Sequence, residues 1–292
     1  MPRSHIDDID DPRLAIYRDL PQQNLTRHSG RFIAEGEKVV DRLIESRYGV
    51  ESLLAEESLA ERYEPRLLAA TPIYVVSKAL LQATVGFHFH RGVLACGFRQ
   101  AGIGVEDLLG SVVARPHPGT LPGGEGAGAR RMTLVVCPDV QDPTNLGSII
   151  RSAAAFDCSA VILGSKCADP FSRRVLRVSM AAALFLPIVE SRDLAADLRR
   201  LAAEEFEIVA TVLDRAAEPL AGFQRGQRTA ILFGSEGHGL SDEWLALCQR
   251  RVTIPMATGI DSLNVSVAAA VVLWQLTAGG EATAESSRPR QE

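Results

Sequence analysis

Six short apolar runs alternate with helical patterns between residues 131 and 278. The runs are TLVVCP, AVILG, LPIVE, EIVATVLD, TAILFG and VTIPM. Each is almost unbroken in apolar character, which suits a strand covered on both faces. Helical spacing of apolar residues fills the gaps, at 145–156, 172–183, 192–205, 241–248 and 263–276. Alternation of this kind predicts an α/β fold with a mostly parallel sheet.

A second, smaller α/β pattern precedes it. FIAEGEKVVDRLIESRY reads as an extended segment followed by an amphipathic helix with Val39, Leu43 and Ile44 inward. VESLLAEE, PIYVVSK and RGVLACGF read as strands. The stretch VARPHPGTLPGGEGAGARR is rich in Pro and Gly and lacks a hydrophobic period, so it predicts a linker. The expected divisions are a first domain at 1–105 with an acidic N-terminal extension, a linker at 106–130, the alternating domain at 131–278 and a disordered tail at 279–292.

Composition narrows the classes. Five cysteines, at 96, 137, 158, 167 and 248, contain no C-x-x-C pair. That argues for free thiols in a reducing cytoplasm and against a disulfide or metal framework. The N-terminus is acidic and has no apolar core, so no signal peptide is expected, and no run is long and apolar enough to span a membrane. The net charge of −5 is not that of a globally basic nucleic-acid binder. Basic residues are nevertheless clustered, with Arg27, Arg31 and Lys38 near the start and Lys166, Arg173, Arg174 and Arg177 later. Each cluster is either a solvated face or part of a local basic cleft.

Three polar clusters stand where strands end. In the first, VVCPDVQDPTNLGSIIRSAAAF, Asn145 is placed to cap a helix whose apolar stripe is Leu146, Ile149, Ile150, Ala153 and Ala154. Arg151 falls just outside that stripe, so its stem can pack while its head reaches a cleft. In the second, ILFGSEGHGLSDEW, a glycine loop surrounds Glu236, and Ser241, Asp242 and Glu243 open a helix. In the third, Ser262, Asn264 and Ser266 stand before a nearly uncharged helix, where Asn and Ser suit the first turn better than the interior. The late glycine loop does not fit a dinucleotide-binding fingerprint, which belongs in the first strand–helix turn.

Together these segments resemble the three signature motifs of the SpoU (TrmH) family of RNA ribose 2′-O-methyltransferases, within the SPOUT superfamily. The matches are N-x-G-x-x-x-R at Asn145, Gly147 and Arg151, G-x-E-x-x-G-L at Gly234, Glu236, Gly239 and Leu240, and S-L-N-x-S at Ser262, Leu263, Asn264 and Ser266. The resemblance implies S-adenosylmethionine as methyl donor, a homodimer, and a deep trefoil knot in the 131–278 domain. It implies donor contacts at Gly234, Ile254 and Leu263 and a site shaped by Ser262 and Asn264; Leu213, which ends a preceding strand, is a further candidate for the same pocket. Arg151, Asn145 and Glu236 would be the catalytic residues. An arginine is a poor base, so Arg151 is better suited to hold a phosphate and a developing alkoxide. The first domain resembles the small ribosomal-protein-like substrate-binding domain of many members, with RFIAEGEK as its opening motif. The substrate expected is RNA, ribosomal before transfer RNA, and the most distant alternative is an RNA-binding protein without catalysis. In VGFHFH, His88 and His90 alternate with Phe87 and Phe89, a pattern expected to serve packing or an RNA-facing loop and not a metal.

Overall fold

The computed structural model describes residues 3–18, 20, 29–86, 92–114, 131–259 and 262–285. Arg27, the Phe87–His90 alternation and residues 115–130 and 286–292 lie outside the described residues. The chain divides into two compact units, Met1–Ala101 with Asp169–Phe185, and Gly102–Ala168 with Leu186–Glu292.

The first unit is built on a five-stranded sheet. Its strands are β1 (Arg3–His5), β2 (Arg31–Glu35), β3 (Val50–Ala55), β4 (Ile73–Val75) and β5 (Val93–Phe98), in the order β1-β4-β3-β5-β2. β4 runs parallel to β1 and β3, whereas β5 is antiparallel to β3 and β2. The helices are α1 (Glu37–Glu45), α2 (Glu57–Tyr63) and α3 (Lys78–Val85). α1 buries Val39, Val40 and Leu43, and Ile44 is half-buried.

The acidic N-terminus is no mere extension. β1 forms the sheet edge beside β4, and Ile6, Leu14, Tyr17 and Leu20 join a core cluster with Ile33, Leu54, Leu81 and Leu94. Asp11 caps the 3-10 helix Pro12–Tyr17 by accepting from the Arg13 N–H. A three-residue polar strand carries no periodic signal, so only its partner strand defines it.

The boundary expected at residue 131 also needs correction. Asp169–Phe185 packs with the first unit through Phe171, whose ring lies 5.5 Å from those of Phe32 and Tyr48. Its short helix, Arg173–Val178, is capped by Ser172 and buries Val175 and Leu176.

The second unit is a seven-stranded sheet in which every pair is parallel. Its elements are α4 (Val105–Ala114), β6 (Met132–Cys137), α5 (Pro143–Ala155), β7 (Ala160–Leu163), β8 (Ile188–Glu190), α6 (Leu194–Ala203), β9 (Glu207–Thr211), β10 (Glu218–Pro219), β11 (Arg228–Leu232), α7 (Asp242–Leu245), β12 (Arg250–Thr253) and α8 (Val265–Glu285). The strand order is β10-β12-β9-β11-β6-β7-β8. β6, β7 and β11 are buried nearly throughout, as two-sided coverage requires.

Helical structure extends into both the expected linker and the expected disordered tail. The first nine residues of the supposed linker, with Val105 before them, form α4, with Glu106 and Asp107 in its first turn and Val105 and Leu108 in the core. Acidic residues at a helix start oppose the dipole, and apolar residues three apart share one face. The tail is helical as far as Glu285, because α8 continues through its alanine-rich end.

Candidate functional site at the carboxyl ends of the parallel strands

In a parallel sheet the carboxyl ends of the strands form the rim on which ligands gather. Here β9, β11 and β12 end at Thr211, Leu232 and Thr253, and the chain beyond each end lines a cleft of about 540 Å³. That volume lies within the range of small-molecule sites. Its apolar walls include Leu213, Leu245, Val252, Ile254 and Val272. Its polar lining includes Thr211, Ser235, Glu236, His238, Ser262 and Asn264.

Gly234 follows β11 directly. A Cβ there would sit 2.2 Å from the backbone carbon of Gly239. The glycine therefore lets the loop fold against itself, which is a different reason from close approach to a ligand. Ser235 and Gly239 exchange two backbone hydrogen bonds of 3.0 Å across that loop, and Gly239 takes the left-handed φ of +64° that glycine tolerates. This narrow hairpin holds Glu236 out at the cleft rim.

The three polar clusters meet through side chains. Asn145 Nδ2 donates to Glu236 Oε1 at 2.5 Å, and Asn264 Nδ2 donates to Asn145 Oδ1 at 3.0 Å. Asn264 Oδ1 in turn accepts from the Ser266 N–H at 2.9 Å and from Ser266 Oγ at 2.7 Å, which fixes the start of α8. An amide between a carboxylate acceptor and an amide donor has its orientation assigned by its partners.

Asn145 is not the cap of α5. Asp142 is, accepting from the Thr144 and Asn145 N–H groups, which frees the Asn145 side chain for Glu236. Along α5, Leu146, Ile149, Ile150 and Ala153 are buried, but Ala154 is exposed. Arg151 is exposed and does not line the cleft. Six residues beyond Asn145 on a helix, it stands about 9 Å further along the axis.

Of the expected donor-site residues, Gly234, Ile254, Leu263, Leu213, Ser262 and Asn264 all line the cleft. Sequence reasoning missed Thr211, Phe233, Met256 and Val272. Thr211 and Phe233 had a usable signal, since each stands at the carboxyl end of an apolar run. Beneath the rim, Cys167 Sγ donates to the Cys137 carbonyl at 2.9 Å. Burial pushes the Cys137 thiol well up and that of Cys167 to about 11, so both stay protonated. Among the described residues, no cluster of three or more His, Cys, Asp or Glu side chains is arranged to hold a metal ion.

Comparison with known proteins gives the family. The model of the SpoU rRNA Methylase family matches residues 132–274. An uncharacterized tRNA/rRNA methyltransferase of Mycobacterium tuberculosis is 37% identical over 94% of this chain and 91% of its own length. The chain belongs to the SpoU rRNA methylase family.

Other similarities agree with that membership. The 23S rRNA (guanosine-2′-O-)-methyltransferase RlmB of Acinetobacter baylyi is 30% identical over 68% of this chain and 75% of its own. The SpoU methyltransferase AviRb of Streptomyces viridochromogenes, solved with AdoMet, shares the fold with a TM-score of 0.75 at 24% identity, covering 93% of this chain and all of its own. Within the SpoU assignment, the two asparagines and the glutamate joined by hydrogen bonds are each a member of a different signature motif.

Proposed function

We propose that this protein transfers a methyl group from S-adenosylmethionine to a ribose 2′-hydroxyl in ribosomal RNA. The observation that carries the proposal is the Asn264–Asn145–Glu236 chain of hydrogen bonds at the rim of the 540 Å³ cleft. A cleft with apolar walls, loop backbone and a few polar side chains suits a nucleoside-based donor of this size. Gly234, Ile254 and Leu263 would hold it, with Leu213 as a further contact and Ser262 and Asn264 shaping its bed. When bound, the donor supplies an electrophilic methyl on a sulfonium.

The protein's own work is alignment. Asn145, held from both sides, and Glu236 would place the ribose. Arg151 would bind an RNA phosphate and stabilise the alkoxide that forms, while a phosphate oxygen or water takes the proton. The exposed apolar stripe of α8, Val267, Val271 and Trp274, would pair two copies into a homodimer. A trefoil knot around the cleft belongs to the same proposal. It is supported by the β12-β9-β11-β6 order and by the packing of α8 on α5. The first unit would act as the RNA-selecting, ribosomal-protein-like domain. The 23S rRNA named as substrate of the RlmB relative favours ribosomal RNA over transfer RNA.

Mapping ribose methylation across the stable RNAs of cells with and without the gene tests this. One ribose in ribosomal RNA should lose its methyl group and regain it with purified wild-type protein. Loss of a base methylation, with every ribose unchanged, would refute the proposal.

A further inference from the structure

The hairpin at the cleft rim carries a second titratable side chain beside Glu236. Ser235 and Gly239 close that hairpin with their paired backbone bonds, which leaves Glu236, Gly237 and His238 as its tip. His238 is exposed and lines the cleft. Among the described residues its imidazole has no hydrogen-bond or ion-pair partner. A separation of two residues keeps the Cα atoms of Glu236 and His238 within about 7 Å of each other. An imidazole on that tip is placed to reach a hydroxyl held by Glu236 and Asn145 through one water.

A 2′-hydroxyl that gains a methyl group must lose its proton, and few groups at the cleft can take it. The titratable residues among the described lining are Glu236 and His238. Glu236 Oε1 already accepts from Asn145 Nδ2, and carboxylates as a class are weak bases near neutrality. Cys137 and Cys167 lie beneath the rim as protonated thiols. An arginine such as Arg151 is a poor base. Imidazole is the side chain that changes charge between pH 5 and 8, so its neutral form suits a proton acceptor. The charged groups on the surrounding elements are Asp242 and Glu243 at the start of α7, Asp214 and Arg215 beyond β9, and Asp142 and Arg151 on α5. The described loop after β12 and the first turn of α8 add none to the lining.

We propose that His238 is the final acceptor of the ribose proton, received through the water that first takes it. The inference rests on the methyltransferase reading above. The hydroxyl oxygen gains the methyl carbon and loses its proton, and the electron pair of the broken carbon–sulfur bond stays on sulfur. The proton passes through the water to the imidazole, which becomes imidazolium and, being exposed, returns the proton to solvent.

The test uses the full chain, S-adenosylmethionine and a ribosomal RNA segment bearing the ribose that the wild type methylates. Single-turnover rates are followed from about pH 5 to 9. The wild-type rate should rise with pH and then level off, because only the neutral imidazole accepts a proton. His238→Ala should lower the plateau rate about a hundredfold and lose that rise. Imidazole added to the medium should restore part of the rate. His238→Gln, which keeps a hydrogen-bonding side chain and cannot take a proton, should be as slow as His238→Ala. Apart from turnover, the ring-proton NMR resonance of His238, identified as the one missing from His238→Gln, should shift when the RNA binds without methyl donor. Full activity of His238→Gln would reduce His238 to a hydrogen-bonding contact and overturn the inference. An unchanged rate and pH profile in His238→Ala, or a resonance that RNA leaves unmoved, would overturn it too. In each of those cases the wild type still methylates its ribose, so the methyltransferase reading stands. A wild type that methylates no ribose overturns that reading, and this inference with it.

Discussion

The two units treat their polar side chains differently. In the first, arginines are locked onto carboxylates. Arg31 grips Glu51 at 2.5 Å, Arg99 meets Asp169 at 3.1 Å, and Arg173 and Arg177 converge on the buried Glu35 at 3.5 and 3.3 Å. Arg62 and Arg66 reach back to Glu37 and Asp41 on α1. In the second, the rim of the sheet carries neutral amides and one carboxylate joined by hydrogen bonds, beside an open cleft. The lesson concerns charge and function. Arg31, Arg173 and Arg177, grouped in sequence like parts of an RNA-binding cleft, are committed to ion pairs within the fold. The uncharged Asn145 and Asn264 are instead hydrogen-bonded to each other at the cleft rim, where the proposed chemistry would take place.

Substitutions can break that contrast, since those in the proposed catalytic set of the second unit should change activity and those in the first unit should change stability. The largest effect is expected at Arg151. Arg151→Ala should lower methyl transfer by about a thousandfold or more, as removal of a group stabilising developing charge does. Its melting temperature should hold, because the side chain is exposed. A single-turnover assay beside thermal denaturation checks both, and near-normal turnover would remove Arg151 from the mechanism.

Asn145→Ala and Glu236→Ala should each cost about a hundredfold in turnover by loosening alignment. Their double variant should be no worse than about either single one, because both break the same hydrogen bond. Strictly additive losses would separate their roles.

In the first unit, Glu35→Ala should destabilise the protein by about 3 kcal/mol, because it removes the buried partner of two arginines. Denaturant unfolding measures this. An unchanged donor affinity in the same variant would sharpen the contrast, and lost affinity with unchanged stability would erase it.

The smallest effect concerns Asp11. Hydrogen bonds from the Arg13 side chain and backbone lower its pKa from 3.8 to about 2. The folded state thus favours the carboxylate. Its stabilising contribution is complete above pH 4 or so and is lost as pH falls toward about 2. Asp11→Asn should remove that increment of acid sensitivity from a pH series of melting temperatures, and an identical series would show that the cap contributes nothing.

Much of the second unit was legible in the sequence because parallel strands are covered on both faces and so write continuous apolar runs. All six such runs became strands, and only the two-residue β10 left no trace. The site was legible for another reason. Its glycines, amides and glutamate occur in fixed spacings, and loop closure brings Asn145, Glu236 and Asn264 together across 91 and 119 positions. Arg151 shows where such spacing stops being informative, since a motif position does not say which way a helix turns its side chain. The first unit was harder to read. β1 is polar and three residues long, and Phe171 packs against Phe32 far from it in sequence. Neither feature leaves a local period. The composition of the linker hid α4 because the Pro/Gly stretch follows directly on a short amphipathic helix.

Calorimetric titration of the full chain with S-adenosylmethionine, and separately with NAD, tests the central claim most directly. The account predicts saturable binding of S-adenosylmethionine, weakened when Gly234→Ala pushes the loop off Gly239, and no binding of NAD. Binding of NAD with no heat from S-adenosylmethionine would contradict it.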